Sequence, residues 1–214
     1  MSRINIKICG LTTVETIDAS LKGGATHVGL NHFPKSPRYL SPEALAQIAP
    51  RIPAHVKRVG VLVDPDDDFL DSLIAAGGLQ VIQLHGHESP ARVAQLRART
   101  GLEVWKAVSV RTAADIAGGA AYAGAADFLL YDAKTPDGAA LPGGMGMRFD
   151  WTLLAGHRPP LPWGLSGGLT PENVAEAIRL TGAPLVDVSS GVESAPGVKD
   201  AGLITAFCKA AHDS

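Results

Sequence analysis

The chain has 214 residues, of which 46% are hydrophobic, so it is long enough for one domain with a full core. Its 19 basic residues nearly balance its 21 acidic residues, and no long basic run suggests a nucleic-acid surface. The first residues lack the apolar region of a signal peptide, and no run approaches the roughly 18 apolar residues of a membrane span. We therefore expect a soluble cytoplasmic protein that binds neither nucleic acid nor membrane.

Eight short runs rich in β-branched residues alternate with eight stretches that suit helices. The expected strands span residues 4–9, 27–33, 57–63, 79–84, 103–109, 127–132, 161–166 and 185–189. The expected helices span residues 13–22, 42–48, 68–76, 90–99, 112–122, 149–155, 171–180 and 200–211. Parallel strands need crossover helices, so this alternation predicts a parallel α/β sheet. Eight units at this length favour a single-domain (βα)8 TIM barrel over residues 1–214, with an open doubly wound sheet as the alternative.

Local signals mark several boundaries. Ser41-Pro42, Ser89-Pro90 and Thr170-Pro171 each offer an N-cap residue followed by a proline, which is typical of a helix start. After the sixth strand, residues 137–146 are too rich in glycine and polar residues for a helix. We expect this segment to be a mobile loop over the barrel mouth.

Cys9 ends the first strand. Side chains alternate along a strand, so Lys7 and Cys9 share one face while the alternating isoleucines Ile4, Ile6 and Ile8 share the other. The apolar face should contact the helices, which turns Cys9 into the barrel at its mouth. A nearby cation such as Lys7 would lower the pKa of the thiol from about 8.5 and favour the thiolate. A lone strand cysteine is also a common small buried residue, so both interpretations stay open.

Asp132 ends the sixth strand, which is strongly apolar. The carboxyl ends of barrel strands form the face that carries the chemistry, so this aspartate is a candidate acid or base; the alternative is a cap for the following loop. A thiol and a carboxyl group facing one cavity would supply a proton acceptor and a proton donor. Such a pair suits proton transfer at a carbon next to a carbonyl or imine.

Two glycine-bearing turns follow the last two strands. Gly167 and Gly168 follow the seventh strand, and Ser190 and Gly191 follow the eighth. Glycine lets backbone N–H groups approach an anion closely, and barrels often bind phosphate after strands seven and eight. The two turns together predict a phosphate site, although each alone also fits a plain turn.

Further polar residues stand at strand ends. Arg38 follows the second strand in a proline-stiffened loop, where it either holds a carboxylate or is a solvated charge. His85 ends the fourth strand and should line the cavity, while His87 should lie on the surface. No set of residues has convincing zinc-ligand spacing, so no metal is expected. We expect Cys9 and Cys208 to be reduced thiols.

Several motifs together resemble the phosphoribosylanthranilate isomerases, barrel enzymes of tryptophan biosynthesis. The resemblance extends from Lys7 to about Phe207. The matching segments are Lys7-Ile8-Cys9-Gly10-Leu11-Thr12, Pro34-Lys35-Ser36-Pro37-Arg38-Tyr39, Gln83-Leu84-His85-Gly86, Asp132-Ala133-Lys134, Gly167-Gly168-Leu169-Thr170-Pro171-Glu172-Asn173-Val174, Asp187-Val188-Ser189-Ser190-Gly191-Val192-Glu193 and Pro196-Gly197-Val198-Lys199-Asp200.

The resemblance implies an Amadori rearrangement of N-(5-phosphoribosyl)anthranilate to 1-(2-carboxyphenylamino)-1-deoxyribulose 5-phosphate. Asp132 then matches the general acid, Cys9 the general base, and Arg38 the residue that faces the anthranilate carboxylate. The glycine turns match the phosphate site. Asp187 matches a polar residue within the barrel, and with Lys7 and His85 it completes the expected substrate-binding set. The reaction needs no cofactor or metal, and the expected partner is a phosphorylated small molecule, bound by a monomer or a homodimer.

One departure from the family concerns the loop after strand six. This loop usually reads Gly-Gly-Thr-Gly-Lys, whereas Met145 and Met147 stand here in place of the hydroxyl and the ammonium group. Loop contacts to a substrate are therefore in question. Two other functions also remain open, namely another phosphosugar isomerase or epimerase barrel and a catalytically silent barrel that senses a phosphorylated ligand.

Overall fold

Eight parallel strands form the centre of the molecule. The computed structural model describes residues 4–135 and 143–214. The strands are β1 Asn5–Cys9, β2 His27–Asn31, β3 Lys57–Leu62, β4 Val81–Leu84, β5 Glu103–Val110, β6 Phe128–Ala133, β7 Trp163–Leu165 and β8 Leu185–Val188. They pair in chain order, and β1 pairs with β8 to close a barrel. The predicted barrel is confirmed, and the open-sheet alternative is wrong.

Helices surround the barrel. They are α1 Val14–Lys22, α2 Pro42–Ile48, α3 Asp67–Ala76, α4 Pro90–Thr100, α5 Ala113–Gly118, α6 Val174–Thr181 and α7 Ala201–His212. Short 3-10 segments are Ala49–Arg51, Gly119–Tyr122, Trp151–Leu154 and Ser190–Val192, and a small hairpin pairs β9 Glu193–Ala195 with β10 Val198–Lys199. Across the two described segments, no helix is long and apolar enough to cross a membrane.

The alternation along β1 divides its side chains as the sequence predicts. Ile6 and Ile8 are fully buried in the large apolar cluster that includes the outer helices. Inside the barrel, a second apolar cluster contains Val59, Val81, Trp105, Leu130 and Leu185. This interior cluster lies nearer the amino ends of the strands than the polar site residues, because Leu185 precedes Asp187 by two positions on β8. It therefore forms a floor beneath the barrel mouth.

Two of the three predicted helix starts are confirmed. The Ser41 and Ser89 hydroxyls accept hydrogen bonds from backbone N–H groups three residues later, at 3.3 and 3.2 Å, and a proline follows each. The third is wrong, because α6 begins at Val174. The Asn173 side chain instead accepts from the Thr170 N–H at 2.8 Å, so the residues after Thr170 form a turn before the helix.

Other elements are shorter than predicted. The expected helix 112–122 is α5 followed by a 3-10 segment, and the expected helix 149–155 is the single 3-10 turn Trp151–Leu154. Most of the predicted mobile loop, residues 137–142, lies outside the described residues, while residues 143–146 border a cavity at the barrel mouth. Cys9 and Cys208 are both free thiols, as expected.

Candidate active site

A cavity opens at the mouth of the barrel, where the strands end. Nine of the ten residues predicted for the site line it: Cys9, Arg38, His85, Asp132, Gly167, Gly168, Asp187, Ser190 and Gly191. The tenth, Lys7, is fully buried and does not line the cavity wall. The barrel thus brings together residues that are up to 182 positions apart in the chain, from Cys9 to Gly191.

Cys9 projects from the end of β1 into a space that Gly29 leaves open. The two residues are paired across β1 and β2, and a Cβ atom at Gly29 would lie only 2.7 Å from the Cys9 sulfur. Burial raises the pKa of the Cys9 thiol, and this effect outweighs the opposing charges of Lys7 and Lys199. Lys7 thus lowers this pKa as expected, but the net shift is upward because burial is the larger effect.

The charge of Lys7 is balanced by a buried aspartate. Its ammonium group donates to Asp187 at 2.9 Å, and both side chains are buried. Burial opposes the charge of Lys7, but Asp187 and Cys9 outweigh this and raise the pKa of Lys7. Lys7 therefore stays charged at neutral pH as a fixed cation next to the thiol, rather than as part of the cavity wall.

Asp132 stands near the end of β6 with both carboxyl oxygens held. Oδ1 accepts the backbone N–H of Ala133 at 3.0 Å, and Oδ2 lies 3.1 Å from Nε2 of His85. The other ring nitrogen of His85 lies 3.3 Å from the amide nitrogen of Gln83. His85 thus lines the cavity as predicted, but its direct partner in the structure is the carboxyl group of Asp132. His87 is exposed, as expected.

Arg38 is fixed by a residue that the sequence reasoning did not single out. Its Nε and Nη2 atoms donate to the two carboxylate oxygens of Glu193 at 2.7 and 2.8 Å, and Nη2 also donates to the carbonyl of Gly144 at 3.0 Å. Lys199 donates to the same carboxylate at 2.6 Å. Burial would raise the pKa of Glu193, but these two cations outweigh it and hold the pKa below its usual value. Two cations thus share one carboxylate beside the cavity.

The two glycine turns lie against each other. A Cβ atom at Gly191 would overlap the carbonyl oxygen of Leu169, so a side chain there would separate the turns. Gly167 and Gly168 have φ values of +90° and +66°, which favour glycine. In the described part of the chain, the N–H groups of Gly168 and Leu169 donate to no other protein group. The turn after β7 therefore presents unused backbone donors at the cavity wall, as an anion site requires.

Comparison with known proteins identifies relatives of this chain. Residues 6–210 match the family described as N-(5'phosphoribosyl)anthranilate (PRA) isomerase. The chain belongs to this family.

The similarity extends over the whole chain. A phosphoribosylanthranilate isomerase from Paracoccus denitrificans is 55% identical over 204 residues, covering 95% of both chains. The crystal structure of the isomerase from Thermotoga maritima superposes with a TM-score of 0.88 at 38% identity, covering 99% of this chain and 100% of that one. Another isomerase structure, in complex with reduced 1-(o-carboxyphenylamino)-1-deoxyribulose 5-phosphate, has a TM-score of 0.85 at 35% identity and the same coverage. The family resemblance drawn from the motifs is confirmed.

Two methionines of the loop after β6 lie at the cavity. Met145 and Met147 both border it and are 49% and 40% exposed. Their thioethers offer apolar surface to a ligand. Arg38 is a cation at the same cavity, and Lys199 shares its carboxylate partner.

The sequence reasoning missed three residues that shape this isomerase site: Gly29, Gln83 and Glu193. Gly29 has no sequence signal beyond being a glycine inside a strand, which is typical of a close approach by another group. Gln83 and Glu193 stand inside the motifs that carried the resemblance, next to residues that were singled out. A polar residue on an inward-facing strand position, such as Gln83, is the signal that could have been used.

Proposed function

We propose that this protein converts N-(5'-phosphoribosyl)anthranilate to 1-(2-carboxyphenylamino)-1-deoxyribulose 5-phosphate, a step of tryptophan biosynthesis. The observation that carries the proposal is that a buried thiol on β1 and a buried carboxyl group on β6 line one cavity. Family membership supports the same reaction, as does the related isomerase that binds a reduced form of this product.

Asp132 acts as the general acid in this proposal. It gives its proton to the ring oxygen of the ribose, the bond between C1 and that oxygen breaks, and the open chain carries an iminium group at C1. The acid is held on both oxygens by Ala133 and His85, so it is oriented before the substrate arrives.

Cys9 acts as the general base. Its thiolate removes the proton from C2 of the sugar, and the electron pair of that C–H bond neutralises the iminium nitrogen to give an enolamine. Tautomerisation of the enolamine yields the ketone. The fixed charge of Lys7 stabilises the thiolate form of Cys9. Each step moves a proton and no electron leaves the substrate, so the proposal includes no redox cofactor and no metal.

The ends of the substrate are bound on different walls of the cavity. The turns that contain Gly168 and Gly191 hold the phosphate through backbone N–H groups, with the Ser190 hydroxyl as a further donor. Arg38 faces the anthranilate carboxylate, and because Glu193 occupies its Nε side, the contact must come from the remaining Nη hydrogens. Asp187 supports the cavity from below through its ion pair.

The wider setting of the protein follows from the same reaction. The partner is a small phosphorylated metabolite, the location is the cytoplasm, and the active form is a monomer or a homodimer. These statements are proposals that rest on the family and on the absence of any membrane-spanning helix among the described residues.

A direct assay of turnover tests the proposal. Purified protein should convert phosphoribosylanthranilate, whereas Cys9→Ser and Asp132→Asn should each lose at least about a hundredfold in kcat, the usual contribution of a general acid or base. Cys208→Ala removes the other thiol, buried in α7, and should keep near wild-type kcat. A folded wild-type protein without turnover would support the silent sensor, and activity on a different phosphosugar alone would support another barrel enzyme.

A further inference from the structure

The two oxygens of the Asp132 carboxyl group have different kinds of partner. Oδ1 accepts the backbone N–H of Ala133, and a backbone N–H can only donate. Oδ1 therefore accepts whether or not the carboxyl group carries a proton. Because the carbonyl oxygen of a carboxylic acid is its stronger acceptor, this contact favours the proton of the acid form on Oδ2, which lies 3.1 Å from Nε2 of His85.

Gly143, on the described part of the loop after β6, lies close to this contact. A Cβ atom at Gly143 would lie 2.7 Å from Oδ2 of Asp132 and 2.9 Å from Nε2 of His85. A side chain at this position would therefore disturb the hydrogen bond between Asp132 and His85.

The turn after His85 is held by a buried ion pair. The ammonium group of Lys106 donates to the carbonyl of Gly86 at 2.7 Å and to Glu88 at 2.8 Å. Glu88 in turn accepts the N–H of Gly86. The backbone N–H and carbonyl groups of Gly86 are therefore both fixed, so the backbone next to His85 is rigid.

The tautomer of His85 depends on what Asp132 requires. An ionised Asp132 needs a donor at Nε2, which leaves Nδ1 as an acceptor. A protonated Asp132 donates from Oδ2, so Nε2 must accept and the ring proton must be on Nδ1. That second state requires an acceptor within reach of Nδ1.

Gln83 can serve both states. It is buried, its amide nitrogen lies 3.3 Å from Nδ1 of His85, and its Oε1 has no hydrogen-bond partner within the described residues. The amide nitrogen and oxygen have nearly the same shape, so a half-turn of the amide places Oε1 at Nδ1. In that orientation the unpartnered oxygen of Gln83 accepts the Nδ1 proton.

We infer that Gln83 and His85 are positioning residues for Asp132, and that the Gln83 amide takes the orientation that matches the tautomer of His85. When Asp132 is protonated, Nε2 of His85 passes its proton to Oδ2 while Nδ1 takes up one proton from solvent, so one proton is gained in all. The inference rests on the proposed role of Asp132 as general acid. Asp187 on β8 also interacts with this pair, and its own charge is paired with Lys7 on β1.

The tautomer of His85 can be measured without any turnover. In Asp132→Asn, the amide nitrogen takes the place of Oδ2 and donates permanently to Nε2, as the protonated acid would. Nitrogen-15 NMR of histidine-labelled protein distinguishes the two tautomers, and loss of a signal in His85→Asn assigns it. At pH 8 the free wild type should show the proton on Nε2, and Asp132→Asn should show it on Nδ1. The same tautomer in both proteins would overturn the inference.

Kinetics of Gln83 variants give a second measurement. Gln83→Met keeps the size of the side chain but cannot bond to Nδ1, so kcat should fall about tenfold, the value of one lost hydrogen bond, while KM stays within about twofold. Gln83→Glu can accept the Nδ1 proton and should recover most of kcat. Gln95→Met, on exposed surface of α4, is the matched control. An unchanged kcat in folded Gln83→Met would contradict the inference.

The proposed acid role of Asp132 and the positioning role of Gln83 and His85 can be refuted separately. If Asp132→Asn retains wild-type kcat, the proposed acid is wrong whatever the tautomer of His85. If Asp132→Asn is inactive but the tautomer does not change and Gln83→Met is fully active, the proposed function stands and the positioning role falls.

Discussion

Removing the charge of Glu193 should destabilise the protein strongly. Its carboxylate binds Arg38 through two hydrogen bonds and Lys199 through a third, and the three side chains are only 4%, 5% and 1% exposed. Glu193→Gln keeps the size of the side chain but leaves two buried cations without an anion. Breaking a buried ion pair from one side typically costs about 3–5 kcal/mol, because the remaining charge is not solvated.

This cost is large enough to measure by thermal unfolding. In a domain of 150–250 residues, 1 kcal/mol shifts Tm by about 2–4 °C, so Glu193→Gln should lower Tm by roughly 6–20 °C. Urea unfolding followed by circular dichroism gives the free energy directly. Glu176→Gln, an exposed glutamate on α6, should change the unfolding free energy by less than about 0.5 kcal/mol.

A second substitution separates charge from packing. Lys199→Met in the Glu193→Gln background removes one of the two unpaired cations and should restore part of the lost stability, so the two effects should be non-additive. The reasoning is refuted if Glu193→Gln costs less than about 1 kcal/mol, or if the double variant is no more stable than Glu193→Gln alone.

Four further outcomes are expected. Because burial raises the pKa of Cys9, kcat/KM should rise with pH through the neutral and mildly alkaline range, and a profile already flat from pH 6 would contradict this. Arg38→Ala should weaken substrate binding by about 1.5–3 kcal/mol, and it should weaken binding of an analogue without the anthranilate carboxylate much less. An equal loss for both ligands would mean that the arginine only holds its loop. Ser190→Asp should raise KM for the phosphorylated substrate at least about tenfold and abolish competition by inorganic phosphate, while Ser190→Ala should have a mild effect. Continued phosphate competition in Ser190→Asp would place the anion elsewhere. Burial, with nearby Lys57 and Lys7, lowers the pKa of His27 to about 3. Below pH 6.5 the unfolded chain therefore binds a proton that the folded protein does not, so the unfolding free energy should decrease as the pH is lowered, by up to about 1.4 kcal/mol per pH unit. His27→Gln should flatten this slope, and His87→Gln should not.

The barrel was predictable because its pattern is local. Each strand is a short apolar run, and each helix follows within a few residues. Side-chain alternation alone predicts that Cys9 lies on the inward face of its strand. The helix starts at Ser41 and Ser89 were also predictable, since an N-cap and a following proline act within one turn. The same signal at Thr170 was overridden by the Asn173 side chain, which forms a turn that residue preferences do not specify.

The partners within the site were not predictable from spacing. Arg38 and Glu193 are 155 positions apart and meet only because β1 pairs with β8 and closes the barrel. The net pKa shift of Cys9 was not predictable for a related reason. Lys7 lies two residues away and lowers this pKa, but burial of the thiol raises it by more, and Asp187, from the far end of the chain, raises it further. How deeply a strand-end side chain is buried is a property of the closed barrel.

The pairing of Cys9 and Asp132 around the reacting sugar is the central claim, and a crystal structure with reduced 1-(o-carboxyphenylamino)-1-deoxyribulose 5-phosphate tests it most directly. The account predicts the phosphate within about 2.7–3.2 Å of the N–H groups of Gly168 and Leu169. It also predicts sugar C2 beside the Cys9 sulfur, and the C4 oxygen within hydrogen-bonding distance of Oδ2 of Asp132. A phosphate bound at Arg38 instead, with the carbon chain reversed and Cys9 distant from C2, would contradict the mechanism.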